Sequence, residues 1–240
     1  MADPPKYLRK RSAALTESDT VDGFLKAVEA TPAPLTQATG RLVFALDATA
    51  SRQPTWNEAM ALQQNLFVAT DGIQGLDVQL VFFRGDGECR ATPWHTSSDA
   101  LLRAMRAVRC AAGQTQIGRV LRHVRTEARA RPLSALVYVG DCCEERFDPL
   151  AGLAGDLRLL GVPLFLFQEG NDPVARDAFG RLAAISGGAY ARFDLDSRRI
   201  LADLLAAVGT WARGGTAAVQ TLQLTKQSAT IAGLLRQLEP

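Results

Sequence analysis

Short apolar runs that alternate with helical segments constrain the fold of this chain more than any other feature. We predict that these runs are buried strands, and they occupy residues 42–47, 78–83, 135–140, 162–167 and 189–193. The segments between them carry apolar residues at helical spacing, as at Ile117, Val120, Leu121 and Val124. Strands that alternate with helices form a parallel sheet covered on both faces. The sequence therefore predicts an α/β domain.

The segment 88–94 is an exception to the parallel pattern. It follows the strand 78–83 after the turn Gly85-Asp86-Gly87, and an Asp-Gly turn favours a hairpin. Pro93 lacks a donor N–H, which suits an edge position. We therefore expect an antiparallel edge strand here. Helices are expected at 18–30, from about Thr55, at 98–109 with Ser98 as the cap, after Thr115, at about 151–160, at 173–186 and from about Ser197 to Trp211.

Four segments are predicted along the chain. Residues 1–17 form a flexible basic N-terminus, and residues 18–40 hold an amphipathic helix and a Pro-containing linker. Residues 41–214 form the α/β domain. The tail 215–240 is expected to be partly helical and to dock on the domain or on another copy, rather than to reach for a partner, because its apolar side chains would otherwise face water.

Composition narrows the class of function. In 240 residues the apolar content is 47%, the charged content is 22% and the net charge is +2, which is typical of a globular protein without a nucleic-acid surface. No apolar run approaches the roughly 20 residues of a membrane helix, and no hydrophobic signal segment follows Met1. Cytoplasmic residence is therefore the default expectation.

The four cysteines show no paired Cys-x-x-Cys spacing, so free thiols are expected and a zinc site is not. Cys142-Cys143 directly follows Asp141 and could form a soft-metal or redox site. The favoured interpretation is that both are small apolar packing residues beside a strand end.

Polar residues gather where predicted strands end. Asp47, Thr49 and Ser51 follow the first strand, Asp141 follows the strand 135–140, and Thr115 lies in a loop before a helix. Ligands of an open parallel sheet bind beyond the carboxyl ends of its strands. Two carboxylates and three hydroxyls suit a hard divalent cation, Mg²⁺ or Mn²⁺. Each residue alone could instead cap a helix or form an Asx-turn, but the five together favour a metal site.

The same five residues resemble the metal-ion-dependent adhesion site (MIDAS) of the von Willebrand factor type A (VWA) domain, here of a bacterial cytoplasmic type. The signature is Asp-x-Ser-x-Ser, a distant Thr and a distant Asp, and Thr49 departs from it while keeping the hydroxyl. The resemblance extends over 41–214. It implies a doubly wound, Rossmann-like three-layer sandwich with a mostly parallel six-stranded sheet, order 3-2-1-4-5-6, strand 3 antiparallel and helices on both faces.

The resemblance also implies how the site works. Thr49 and Ser51 would bind the cation directly, Thr115 directly or through water, and the two Asp mostly through bridging waters. One coordination position stays open for an acidic side chain of a partner protein. Residues expected to flank that ligand are Arg52, Gln53, Gln114 and Glu144.

Enzyme motifs are not found in the sequence. A phosphohydrolase with an aspartyl nucleophile at Asp47 would need a second Asp at position 49, and Gly-rich nucleotide-binding motifs are missing. The leading hypothesis is a metal-dependent protein-binding module without a nucleic-acid, membrane or nucleotide partner. The alternative is a phosphoester hydrolase that uses a cation-bound water. A weaker third hypothesis is a vestigial site, with binding by the first helix or the tail.

Overall fold

The computed structural model describes residues 40–52 and 76–193, together with the single residues Ala27, Thr31, Val208 and Ala212. The strands are β1 Gly40–Asp47, β2 Leu76–Arg84, β3 Glu88–His95, β4 Ala135–Gly140, β5 Leu164–Glu169 and β6 Ala189–Phe193. The helices are α1 Ser98–Ala107, α2 Ile117–Ala130, α3 Phe147–Leu159 and α4 Pro173–Ser186. Several predicted segments lie outside the described residues: the segment 1–17, most of the helix at 18–30, the helix from Thr55, most of the helix that ends at Trp211, and the tail 215–240.

The six strands form one sheet in the order β3-β2-β1-β4-β5-β6. Only β3 is antiparallel to its neighbour, and the remaining pairs are parallel. The predicted fold class, strand order and antiparallel third strand are therefore confirmed. Because β1 and β4 are neighbours in the middle of the sheet, the segments that follow them leave from adjacent strand ends.

The central strands are buried on both faces, which explains their continuous apolar sequences. Along β1, Leu42, Phe44 and Leu46 face one core cluster, together with α1. Val43 and Ala45 face the other, which α2, α3 and α4 cover. The sheet thus separates two apolar cores and holds the ends of β1 and β4 in a rigid frame.

The helix ends agree with local capping chemistry and differ from the predictions at one cap, one start and one end. Helix α1 ends at Ala107, two residues before the predicted end at 109. The N-cap of α1 is Ser97, whose Oγ accepts from the N–H of Ala100 at 3.4 Å, and not Ser98. Helix α3 begins at Phe147, four residues before the predicted start at 151. Helix α4 begins after an Asp172 cap and ends at Gly187, which has φ of 76°.

The edge strand β3 is tied to the domain by side chains. Arg41 is 6% exposed, and its guanidinium donates to Glu127 at 3.0 Å while lying 3.8 Å from the centre of the Trp94 ring. Trp94 Nε1 donates to the same Glu127 carboxylate at 3.2 Å. Strand β1, strand β3 and helix α2 therefore share one polar cluster.

A bulge interrupts the pairing of β2 with β3 between Gln79 and Val81. There the N–H of Leu80 donates to the hydroxyl of Thr92 at 3.2 Å, and the Gln79 amide donates to the carbonyl of Thr92 at 3.0 Å. Side chains thus replace part of the backbone ladder next to Pro93.

No helix in the described ranges is long and apolar enough to cross a membrane.

Candidate metal centre

The run that starts at Asp47 folds into a tight polar turn at the carboxyl end of β1. Asp47 is fully buried, and its Oδ1 accepts from the N–H of Thr49 at 2.8 Å. A 3₁₀ helix over Ala50–Arg52 follows, and the hydroxyls of Thr49 and Ser51 are 3.1 Å apart. The turn thus has the Asx geometry that such residues adopt without a metal, while it holds two hydroxyls side by side.

Neighbouring segments hold this turn in place. The N–H of Ala48 donates to the carbonyl of Phe83 at 3.0 Å, and the N–H of Ala111 donates to the carbonyl of Ala48 at 3.1 Å. Thr49 forms an isolated parallel bridge with Ala111. The run is therefore an extension of the sheet edge, with its backbone restrained on both sides.

Asp141 is brought to the same edge by the pairing of β1 with β4. Leu46 lies opposite Val139, so Asp47 and Asp141 both extend from the carboxyl ends of adjacent strands. A carboxylate oxygen of each, together with Sγ of Cys142, lies within 4.8 Å of the others. Asp141 Oδ1 is buried and has no hydrogen-bond partner among the described residues. Two carboxylates this close favour a bound cation because each repels the other.

Thr115 is joined to the loop that follows Asp141 by a reciprocal pair of hydrogen bonds. The N–H of Thr115 donates to Glu144 Oε2 at 2.9 Å, and the N–H of Glu144 donates to the Thr115 hydroxyl at 3.0 Å. Thr115 is 5% exposed. Glu144, expected to flank a ligand, therefore also connects two of the loops that carry predicted site residues.

Glu145, which the sequence favours as a surface charge of the loop after Asp141, has a structural task in the folded protein. Both of its carboxylate oxygens accept from the N–H of Gly118, at 3.2 and 3.1 Å, which caps the first turn of α2. Burial raises the pKa of Glu145, and the hydrogen bonds from Gly118 and Ile117 oppose that shift. The loop after Asp141 is thereby anchored to α2 at two successive glutamates.

The electrostatic environment of the edge is negative. Burial raises the pKa of Cys142, and the negative charge of Asp141, a hydrogen bond with Asp141 and the charge of Asp47 raise it further. Burial raises the pKa of Tyr138 well above its usual value, and the charge of Asp47 adds to the shift. Both groups resist becoming negative here, first because burial disfavours a charge and then because the neighbouring carboxylates repel it.

The predicted flanking residues have different outcomes. Gln114 is exposed and lines a pocket of about 290 Å³ beside Thr115, with Gln116, Arg119 and the turn Gly85–Gly87. Arg52 lies in the 3₁₀ helix, and its side chain is outside what the structure describes, as is all of Gln53. The pocket adjoins the Thr115 loop and is a place where a ligand's neighbouring residues could lie.

The donor set fits a divalent cation. Asp47 and Asp141 supply carboxylates at one edge, the Asp47 turn supplies two hydroxyls, and Thr115 is held by the Asp141 loop. Oxygen donors of this kind suit Mg²⁺ or Mn²⁺. The sequence favours a packing role for Cys142, whereas the structure places its sulfur in the carboxylate cluster, and its position directly after Asp141 is the signal for this.

Comparisons with known proteins agree with this architecture. No protein-family model and no curated protein sequence matches the chain. Among solved structures, a von Willebrand factor type A protein from Catenulispora acidiphila has a TM-score of 0.61 and 16% identity, and the match covers 74% of this chain and 43% of that one. The SpRpn10 VWA domain has a TM-score of 0.54 and 12% identity, with coverage of 73% and 98%.

Proximal thread matrix protein 1 from the mussel byssus, in a structure with a zinc-occupied MIDAS motif, has a TM-score of 0.57 and 17% identity. The match covers 72% of this chain and 46% of that chain. This chain spans less than half of the Catenulispora and mussel proteins. At these identities the comparisons establish the fold, and the described part of this chain has the fold of a von Willebrand factor type A domain.

Proposed function

We propose that this protein is a cation-dependent protein-interaction module, which binds an acidic side chain of a partner through Mg²⁺ or Mn²⁺ at the Asp47–Asp141 edge. The observation that carries the proposal is the approach of the two carboxylates at that edge. The buried, unpartnered Oδ1 of Asp141 among the described residues supports it. The zinc in the MIDAS motif of the mussel protein supports a metal at the equivalent place in this fold.

The chain's own residues would divide the work of binding. Asp47 and Asp141 provide the negative charge, while Thr49, Ser51 and Thr115 provide neutral hydroxyl oxygens. If the two carboxylates act through bridging waters, the groups in direct contact with the divalent ion are the three neutral hydroxyls. Part of the ion's positive charge then stays unbalanced. The bound cation supplies a Lewis-acidic position that a carboxylate from another protein can complete.

Protein binding is favoured over hydrolysis because neither histidine lies at this edge. His95 pairs with Val78 near the start of β2, and His123 Nε2 lies 2.8 Å from Gln79 Oε1. The proposed site is beyond the other end of the sheet, where Asp47 pairs with Phe83. Among the described residues of this edge, a hydrolase would depend on carboxylates as general bases.

The first experiment measures cation binding by calorimetry and by thermal unfolding in chelator, Mg²⁺ or Mn²⁺. A cation at ten times its dissociation constant adds about 1.4 kcal/mol to the free energy of unfolding. For a domain of this size the midpoint should rise by roughly 2–4 °C per kcal/mol. Asp47→Ala should abolish both the heat and the shift. Unchanged binding by this variant would refute the proposed site.

The second experiment selects peptides from a display library in the presence of Mg²⁺ and elutes them with chelator. We expect the selected peptides to contain Asp or Glu, and their Asn or Gln versions to lose binding. Thr115→Val removes the hydroxyl at nearly constant volume and should abolish selection, while Thr115→Ser is the matched control that retains it. Cation-dependent hydrolysis of a phosphoester without peptide binding would favour the alternative function.

A further inference from the structure

Cys142 is a member of the carboxylate cluster that the proposed oxygen-ligated site leaves unused. Its Sγ lies within 4.8 Å of a carboxylate oxygen of both Asp47 and Asp141. The side chain is half-buried and lies beside the Asp141 carboxylate. The other described thiols, Cys89, Cys110 and Cys143, do not belong to this group of candidate ligands. Cys142 is therefore placed where a cation held by both carboxylates would meet its sulfur.

Tyr138 provides a second observation that points to the same place. Its side chain is 0% exposed, and its hydroxyl has no hydrogen-bond partner among the described residues. A Cβ at Gly140 would lie 2.7 Å from that hydroxyl, so the hydroxyl lies against the backbone that leads to Asp141. Asp47, Asp141 and Cys142 all act on it electrostatically. A water molecule or an ion beside this hydroxyl would complete its hydrogen bonding, which supports a ligand at this end of β4.

We propose that Cys142 binds the cation as a thiolate and thereby makes the site selective for a borderline-soft cation, Zn²⁺, over Mg²⁺. The inference rests on the cation site of the proposed function and adds one ligand to it. On binding, the S–H bond of Cys142 breaks, its proton passes to solvent and an S–Zn bond forms. No electron is transferred. Zn²⁺ bound at this thiol would depart from the expectation, drawn from cysteine spacing, that the chain has no zinc site.

The selectivity follows from ligand softness. Zn²⁺ accepts thiolate together with carboxylate, whereas Mg²⁺ keeps to oxygen ligands and several of its waters. Most sites bind Zn²⁺ more tightly than Mg²⁺ whatever their ligands, so a preference alone does not identify the sulfur. The test must therefore detect the metal–sulfur bond and its dependence on Cys142.

The test uses the full chain, with Co²⁺ as a spectroscopic substitute for Zn²⁺. Adding Co²⁺ should produce a near-ultraviolet sulfur-to-metal charge-transfer band that Zn²⁺ then displaces. Cys142→Ser should lose the band, and Cys89→Ser, which alters a half-buried thiol outside the cluster, should keep it. Circular dichroism of each variant establishes that it is folded, and Cys142→Ala serves as a second variant if the serine form is unstable.

Competition titrations measure how much Cys142 contributes to the affinity for Zn²⁺. Cys142→Ser should weaken Zn²⁺ binding by roughly tenfold or more, in the range found when groups that support a metal are removed, while Mg²⁺ binding stays unchanged. A band that persists in Cys142→Ser, or equal losses for both cations, would overturn the thiolate ligand. Mg²⁺ binding with no Co²⁺ band would overturn it too and leave the proposed function intact. Failure of every cation to bind would overturn both.

Discussion

We predict that removing the Tyr138 hydroxyl stabilises the protein, although most substitutions of buried residues destabilise it. The ring stacks on Phe83 with centroids 6.2 Å apart and meets Phe179 edge-on at 5.4 Å, and both contacts survive in Tyr138→Phe. The substitution removes only a buried hydroxyl that has no hydrogen-bond partner among the described residues. An unsatisfied buried polar group costs about 1–3 kcal/mol. Without cation, Tyr138→Phe should therefore raise the free energy of unfolding by up to that amount.

Tyr190→Phe is the matched control. The Tyr190 hydroxyl donates to Gln168 Oε1 at 2.6 Å, and Gln168 is fully buried. Removing this donor leaves the buried Gln168 acceptor unsatisfied, so we expect the free energy of unfolding to fall by about 1–3 kcal/mol. The two variants remove the same atom from the same residue type and should shift stability in opposite directions.

Thermal and urea unfolding in chelator measure both variants against the parent chain. Each kcal/mol corresponds to roughly 2–4 °C in midpoint for a protein of this size. If Tyr138→Phe lowers the midpoint as much as Tyr190→Phe does, the Tyr138 hydroxyl is paired in the folded protein. The inference drawn from its isolation would then be wrong.

Further predictions concern stability elsewhere. Arg41→Met should lower the free energy of unfolding in urea by about 3 kcal/mol, because it leaves the carboxylate of a largely buried pair without its cation. Arg181→Met, in an exposed pair, should lower it by less than about 1 kcal/mol. Equal losses for the two variants would contradict this prediction. Gly113→Ala should lower the free energy of unfolding by about 1–3 kcal/mol, because the added Cβ would lie 2.3 Å from a backbone oxygen. Gly152→Ala, in a helix with open space around it, should raise the free energy of unfolding by about 0.5–1 kcal/mol. Deleting 216–240 should lower stability or promote aggregation without altering cation affinity; rapid hydrogen exchange throughout this tail, with no loss on deletion, would instead indicate a free arm.

The order of elements was predictable because the central strands are buried on both faces. A continuous apolar run such as 135–140 can be recognised without knowing its neighbours, and its bounds are confirmed. The bounds of the edge strand 189–193 are confirmed as well. Helix starts were less certain. Ser97 and Ser98 are equally good caps by residue type, and they are distinguished by the backbone conformation at Ser97, φ −131° and ψ 142°, and by its hydrogen bond from Ala100.

Part of the candidate site was predictable for a similar reason. The positions of Asp47 and Asp141 after adjacent parallel strands already imply that they share an edge. The contacts of Cys142 and Glu145 depend on how the loop after β4 bends, which no periodicity encodes. Glu145 meets Gly118 across 27 residues of chain. Such contacts arise from tertiary packing and were beyond what spacing could indicate.

The bulge beside Thr92 affects whether a strand from another copy of this chain can pair with the exposed edge of β3. An exposed edge strand is normally a template to which a strand of another chain can add. Along β3 that template is weakened, because the bulge twists the strand, Pro93 offers no N–H and the Arg90 side chain is 71% exposed. A second chain that paired here would lose hydrogen bonds and bury a charge. Strand addition at β3, and the fibrous aggregation that begins with it, is therefore disfavoured.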